Sequence, residues 1–266
     1  MIKGLYIAHT GMVNEMNRMD ILANNLANAD TTAYKKEGTT SRTFADELAI
    51  KIKDTSHNGF PQKLGTMSFV TQIGQVYTDY STGNFKITDT ETDFALEGNG
   101  FFAVSFTDKN GNTSMKLTRD GNFILDREGY LRTKDGDYVL NAEGARNTNP
   151  NPANYVHLDT TESIYVNEEG YIYQDDELVG TLGVVDVENY DYLEKYGENL
   201  YNIVNGGVIT AANARIHQGA IETSNVNVVS EMVNMIAIQR AYEAGQKVIQ
   251  SVDSTLGITV NLGKVQ

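Results

Sequence analysis

LYIAHTGMVNEMNRMDILANNL, residues 5–26, and VVSEMVNMIAIQRAYEAGQKVIQSVDSTL, residues 228–256, decide how this chain folds. In the first stretch Leu5, Met12, Met19 and Leu26 fall seven apart, with Ala8, Met16, Leu22 and Ala23 filling the intervening heptad positions. The second repeats the spacing in Val228, Met235, Tyr242, Ile249 and Leu256, with Met232, Ile238 and Val252 interleaved. Each stripe predicts a helix of roughly 40 Å, and the matched lengths predict that the two pair as a coiled coil. Both stripes are too wide for one seam. Ile2, Tyr6, Ile7 and Val13 make a second apolar row near the start, as do Val229, Val233 and Ile236 near the end. A helix apolar over most of its circumference is buried on most sides. Each such side chain is worth about 1.5–3 kcal/mol when covered, so the second rows call for neighbouring molecules as cover.

Outward from these ends, composition removes several function classes. The 266 residues carry a formal net charge of −14, against the clustered Lys and Arg that a nucleic-acid backbone requires. Lys35 and Lys36 form the one basic cluster, and it reads as a solvated turn. Cysteine is absent, which excludes thiolate metal sites, disulfides and a cysteine nucleophile. Mean hydropathy is −0.36, and no run approaches the roughly eighteen apolar residues of a membrane span, so no membrane insertion is expected. Asn14, Glu15, Asn17, Arg18 and Asp20 interrupt any secretory h-region, so export would need another route.

Between the ends the period changes. Asn28 to Thr32 are turn and cap formers, Thr43 to Ile52 is weakly periodic and reads as a short helix, and Asp54 to Gly59 is polar. Gly65 to Tyr80 alternates as a strand does. From Phe94 to about Ile203 turns come thick: a hairpin at Asn99-Gly100, then Asn110-Gly111, Asp120-Gly121, Glu128-Gly129, Asp135-Gly136 and Glu143-Gly144. Turns near Glu169-Gly170 and Asp175-Asp176 continue the pattern. The fold class is therefore α+β, with an antiparallel β-domain inserted between terminal helices. The expected organisation is an axial helix with its turn over 1–36, an extended arm over 37–80, the β-domain over 81–205, a return arm over 206–225 and a second axial helix over 226–266.

Constellations of chemistry fail on spacing. Asp108-Lys109-Asn110-Gly111-Asn112 alternates oxygen ligands, but an EF-hand wants Gly at its sixth position and Glu at its twelfth, where this chain has Thr113 and Arg119. Gly98-Asn99-Gly100 leads into a strand, whereas a dinucleotide loop opens a helix. His9, His57, His157 and His217 show no metal spacing, and no G-x-S-x-G elbow nominates a nucleophile. Paired carboxylates such as Glu168-Glu169 and Asp175-Asp176 are explained by turn composition. No catalytic residue, cofactor or metal is expected.

Leu22-Ala23-Asn24-Asn25-Leu26-Ala27-Asn28-Ala29-Asp30-Thr31-Thr32-Ala33-Tyr34-Lys35-Lys36 closely resembles the N-terminal motif of bacterial flagellar rod and hook axial proteins. Gly219-Ala220-Ile221-Glu222-Thr223-Ser224-Asn225-Val226-Asn227, Glu231 to Ile236, and Gln239-Arg240-Ala241-Tyr242-Glu243 are similar to the C-terminal motif of the same family, and Leu96 to Phe102 and Thr118 to Phe123 to its β-region. The match looks closer to the distal-rod type than to the proximal-rod type. Ala33 departs from the pattern, where the family commonly has Gly; a positive φ there would strain Ala.

The resemblance implies a structural subunit of the basal-body rod, a torque-transmitting shaft in the cell envelope. Its partners would be copies of itself, other flagellar rod and hook axial proteins and the flagellar type III export apparatus. Assembly contacts are expected at Leu5, Met12, Met16, Met19, Leu22, Leu26, Val228, Met232, Met235, Ile236, Ile238, Tyr242, Ile249 and Val252. Asn24, Asn25 and Asn28 would cap and turn the end of the first helix, with Thr32, Tyr34, Ser224, Asn225, Val226, Gln239, Arg240 and Glu243 completing the motif. Two rival readings use the same chain: a secreted β-rich carbohydrate-binding module or enzyme with accessory helices, and an adaptor that closes as a finite oligomer.

Overall fold

The computed structural model describes residues 2–43, 47–51, 62–67, 71–147, 150–197 and 199–263. The polar stretch 54–59, with His57, lies outside the described residues, as does the side chain of Ile2. The chain divides into two compact units, one built from the two ends together with residues 36–79, the other from residues 28–35 and 80–226.

The first unit contains α1 (Ile2–Ala27), strands β1 (Glu37–Thr43), β2 (Glu47–Lys51), β3 (Gln62–Met67) and β4 (Thr71–Thr78), and α2 (Val228–Gly263). α1 packs against α2, β1 and β4. β1 pairs antiparallel with β4 through a bulge at Thr40/Ser41, and β2 pairs antiparallel with β3. The short helix expected over 43–52 is therefore absent among the described residues: its weak period yields to the pairing of 47–51 with 62–67, which gives backbone groups there partners across the ladder. The helices are also unequal. α1 has 26 residues and α2 has 36, a difference of about 15 Å at the helical rise.

The second unit is antiparallel and β-rich. Its strands are β5 (Phe85–Ile87), β6 (Phe94–Asn99), β7 (Phe101–Thr107), β8 (Thr113–Thr118), β9 (Phe123–Leu125), β10 (Leu131–Thr133), β11 (Tyr138–Val139), β12 (Tyr165–Val166), β13 (Tyr171–Gln174), β14 (Glu177–Thr181), β15 (Val184–Val187), β16 (Leu193–Tyr196), β17 (Leu200–Ile203), β18 (Ile209–Ala211), β19 (Asn213–Gln218) and β20 (Ala220–Glu222). The main sheet runs β16-β17-β8-β7-β11-β10-β9, with β15 joining β7 and β18 joining β15. β7 lies at its centre because both of its faces are apolar. Phe102 and Val104 enter one core cluster while Phe101 and Ala103 enter another, as the period-two alternation of a strand dictates. Residues 209–222, expected as a return arm, carry β18, β19 and β20, which pair with β15, β6 and β5.

The hairpin expected at Asn99-Gly100 is not formed. β6 pairs with β19 and β7 with β8, β11 and β15, so the chain changes sheets at this point. Gly98 and Gly100 carry φ of 108° and 146°, and a Cβ on Gly98 would lie 2.7 Å from the Asn213 carbonyl oxygen. Glycine here permits a close crossing between strands instead of a two-residue turn.

Candidate assembly surface

On α1, Leu5, Met12, Met19, Leu22 and Leu26 are half-buried, while Met16 is exposed together with Tyr6, Ile7 and Val13. On α2, Ile238 is buried and Met235, Tyr242, Ile249 and Val252 are half-buried. Val228, Met232 and Ile236 stand exposed beside Val229 and Val233; Val229 is 72% exposed and Ile236 51%. The heptad stripe of each helix is thus covered only in part, and the apolar side chains beyond it face outward. Met12 lies beside Gly245, where an added Cβ would meet its side chain, and Ile21 and Leu22 share a groove with Asn234 and Ile238. Positions that rise along one helix as they fall along the other make the two antiparallel. Past residue 252, α2 continues with Leu256, Ile258, Val260 and Leu262 exposed.

The motif residues divide between the units. In the first, Asn25 is buried and pairs with the backbone of Glu37 twice over: its Nδ2 donates to the Glu37 carbonyl at 2.8 Å, and its Oδ1 accepts from the Glu37 N–H at 2.9 Å. The amide thereby acts as a one-residue strand partner where β1 begins. Asn24 is exposed on α1. Asn227 caps α2 by accepting from the Ser230 N–H at 3.0 Å. Gln239 reaches Glu243 at 3.5 Å on the exposed side of α2, and Arg240 is exposed beside it.

In the second unit, Asn28 accepts from the Thr31 hydroxyl, and Thr32 donates to Asp120 Oδ2 at 2.9 Å. Ala33 is buried with φ of 55°, in the left-handed region, and its N–H donates to the Glu222 carbonyl. The positive φ expected to strain Ala at this position is adopted. Tyr34 is buried under the Lys195 ammonium, 4.2 Å from its ring, and its carbonyl accepts from the Asn225 N–H. Ser224 accepts from the Val226 N–H, and Asn225 Nδ2 donates to Ser81.

Lys35 overturns its expected place in a solvated turn. It is 1% exposed, and its ammonium donates to Glu222 Oε1 at 2.6 Å and to the Ser81 carbonyl at 2.8 Å. Glu222, equally buried, also accepts from Gly83 N–H at 2.7 Å and stands 3.6 Å from the Arg119 guanidinium. Arg119 in turn donates to the carbonyls of Gly98 and Leu96 and lies over the Phe101 ring. Burying a charge is costly unless it is paired, which is why Lys35 occurs with Glu222 and not alone. Lys36, the next residue, is half-exposed and pairs with Asp79 at 3.5 Å.

Nearby, burial raises the Asp120 carboxyl above its ordinary range, opposed by hydrogen bonds from Asn122, Thr32 and Asn199. Burial likewise raises Tyr201, and it raises Tyr190 to about 12 with help from Asp186, which accepts from its hydroxyl. These groups hold strands and turns together. Among the described residues no cluster of His, Asp and Glu is placed to hold a metal, and no helix is long and apolar enough to cross a membrane. Sequence reasoning did not single out Glu222, Arg119 or Glu231 as site residues. Their local spacing is ordinary, and their meaning lies in partners, or missing partners, up to 187 positions away.

Three family models match the chain. They are the flagella basal body rod protein model over residues 5–35, the flagellar hook protein FlgE/F/G D1 domain over 95–174, and the flagellar basal body rod FlgEFG protein C-terminal model over 217–262. Among curated relatives, the flagellar basal-body rod protein FlgG of Buchnera aphidicola subsp. Schizaphis graminum is 33% identical, with 96% of this chain and 98% of that one covered. FlgG of Bacillus subtilis is 32% identical over 98% of this chain and 99% of that one. FlgF of Caulobacter vibrioides is 31% identical over the full length of both.

Proposed function

The chain belongs to the flagellar basal-body rod family, and from that premise we propose that it is a structural subunit of the basal-body rod, polymerising helically through its terminal helices into the shaft that transmits torque for motility. It works by position and contact, with no catalytic step. The observation that carries this reading is the apolar side chains left exposed on the terminal helices, Tyr6, Ile7, Val13 and Met16 on α1 and the row Val229, Met232, Val233 and Ile236 on α2. Exposed apolar side chains gathered on one unit mark a surface completed by other protein. Contacts made between unlike faces of successive copies do not close, and so extend into a filament.

In this reading the covered parts of the α1 and α2 stripes form a coiled-coil seam within each subunit, and the exposed apolar side chains meet neighbouring subunits. The axial segments are residues 1–36 and 226–266, the arm is 37–80, and the β-domain 81–205 takes in the strands of 209–222 as well. Other rod and hook axial proteins complete the shaft, the subunit belongs to the distal type, and it reaches the cell envelope through the flagellar type III export apparatus. Full-length similarity to rod proteins supports this over a secreted carbohydrate-binding module or enzyme.

Ile236→Asp tests the reading. The side chain is half exposed, so the fold should persist while assembly, followed by sedimentation against concentration and by electron microscopy, is abolished. Unchanged filament formation would remove this row from the interface. A wild-type chain that stays monomeric at every concentration would overturn the subunit assignment.

A further inference from the structure

Within the first unit, a cavity of about 260 Å³ opens between α1, the start of β1 and the first turns of α2, lined by Arg18, Leu22, Lys36, Glu37, Glu231 and Ile238 among others. It is smaller than the roughly 300–1,000 Å³ of a small-molecule site and suits the tip of one side chain. Two of its charges are already answered, Arg18 by Glu15 at 3.0 Å and Lys36 by Asp79 at 3.5 Å. Glu231 is different. It is 7% exposed, and its Oε2 is buried without any hydrogen-bond partner. The positive end of the α2 dipole eases the charge but does not supply the missing donor, because the free N–H groups of the first turn point along the axis. Buried carboxylate oxygens are otherwise paired, so a donor is to be expected from outside the protomer.

The same helix carries the matching donor. Arg240 is exposed, and no ion pair among the described residues involves it. Nine positions separate it from Glu231, about two and a half turns, which places the two on opposite sides of α2 and roughly 13 Å apart along the axis. The groove and the guanidinium therefore cannot meet within one chain. We infer that Glu231 and Arg240 are the two halves of an ion pair formed between copies: the Arg240 guanidinium of one subunit enters the groove of the next and donates to the idle Glu231 oxygen. Since the halves sit on opposite faces of one helix, the contact is heterologous. Each copy gives with one face and receives with the other, and the chain of contacts propagates. The inference rests on the rod-subunit reading and adds to it the charged pair that sets register along the exposed apolar rows.

Charge reversal tests it with the full chain. Arg240→Glu alone and Glu231→Arg alone should each weaken assembly on the order of thirtyfold or more, the loss expected when one member of a desolvated pair is replaced by a like charge. The double reversal should restore assembly. So should an equimolar mixture of the two single variants: copies that alternate bring the Arg240 of one variant to the unaltered Glu231 of the other, and the two reversed charges to each other. Circular dichroism of each monomer checks folding; Arg240 is exposed, and Glu231→Gln provides a second groove variant of nearly unchanged volume that should weaken assembly in the same direction. If wild type assembles and the Arg240 reversal assembles equally well, or neither the double variant nor the mixture recovers, the split pair is wrong while the subunit reading stands. If wild type does not assemble, the subunit reading falls first and takes the pair with it.

Discussion

Replacing Glu222 with Gln should destabilise the β-rich unit more than replacing its partner Lys35 with Met, although each substitution removes one member of the same 2.6 Å ion pair. The asymmetry follows from what each change leaves behind. Lys35→Met keeps most of the apolar stem, and Glu222 retains the Gly83 N–H at 2.7 Å and Arg119 at 3.6 Å. Two charge-assisted hydrogen bonds go, but the Ser81 carbonyl keeps Asn225 Nδ2 as a donor at 3.3 Å, so the net loss is close to that of the Glu222 bond, about 1.5–3 kcal/mol. Glu222→Gln instead strands two cations, Lys35 at 1% and Arg119 at 2% exposure, with no anion between them. Removing one partner of a buried pair costs about 3–5 kcal/mol, and two stranded charges place this variant at the top of that range. The expected difference is about 2 kcal/mol, or about 1 M in urea midpoint at a slope near 2 kcal/mol/M. Tryptophan is absent and tyrosines are many, so near-ultraviolet circular dichroism of the Tyr80, Tyr190 and Tyr201 cluster around Phe101 reports the unit directly. Equal midpoints, or a larger loss in Lys35→Met, would refute the assignment of Glu222 as the shared anion.

Other consequences are open to the same measurements. Asn25→Ala removes both side-chain bonds to the Glu37 backbone and should cost about 2–3 kcal/mol, while Asn25→Asp, which keeps the acceptor for Glu37 N–H but sets a buried carboxylate oxygen against the Glu37 carbonyl, should cost at least as much. Ala33→Gly relieves about 1–2 kcal/mol of left-handed strain but loses a buried methyl worth about 0.8 and adds unfolded-state entropy worth about 0.5–1, so its urea midpoint should hardly move; a loss of about 1.3 kcal/mol or more, the methyl and entropy costs alone, would mean the strain is not there. Because the folded-state value of Asp120 is raised, the folded chain binds more protons, and stability relative to Asp120→Asn should fall as pH rises from 3.8 through the raised value; a flat difference across that window would contradict the burial of this carboxyl. By the same sign, Tyr190 titrates near 10 when unfolded and at about 12 when folded, so it withdraws stability between those values, a loss that Tyr190→Phe should diminish in alkaline melts.

Much of the architecture was legible because it rests on local periodicity. Apolar residues at heptad spacing mark α1 and α2, and acidic-Gly pairs mark turns such as Glu169-Gly170, where Gly170 has φ of 89°. The errors fall where two distant segments compete for a local signal. Residues 47–51 look weakly helical until 62–67 offer a strand, and Asn99-Gly100 looks like a hairpin until 213–218 takes β6 away from β7. Of the motif, Asn25 and Asn28 could be placed at a helix end from sequence, but not the Asn25–Glu37 pairing.

By itself, the sequence determined the class of the chain, the two terminal helices, the presence of a second apolar row on each and the absence of catalytic spacing, since each depends on side-chain chemistry repeated at short range. Only the tertiary structure decided which apolar side chains are covered, that Lys35 is buried against Glu222 and that Glu231 is buried without a donor. Those facts concern the environment of a charge, and that environment is assembled from residues as far as 187 positions apart, beyond the reach of any local pattern.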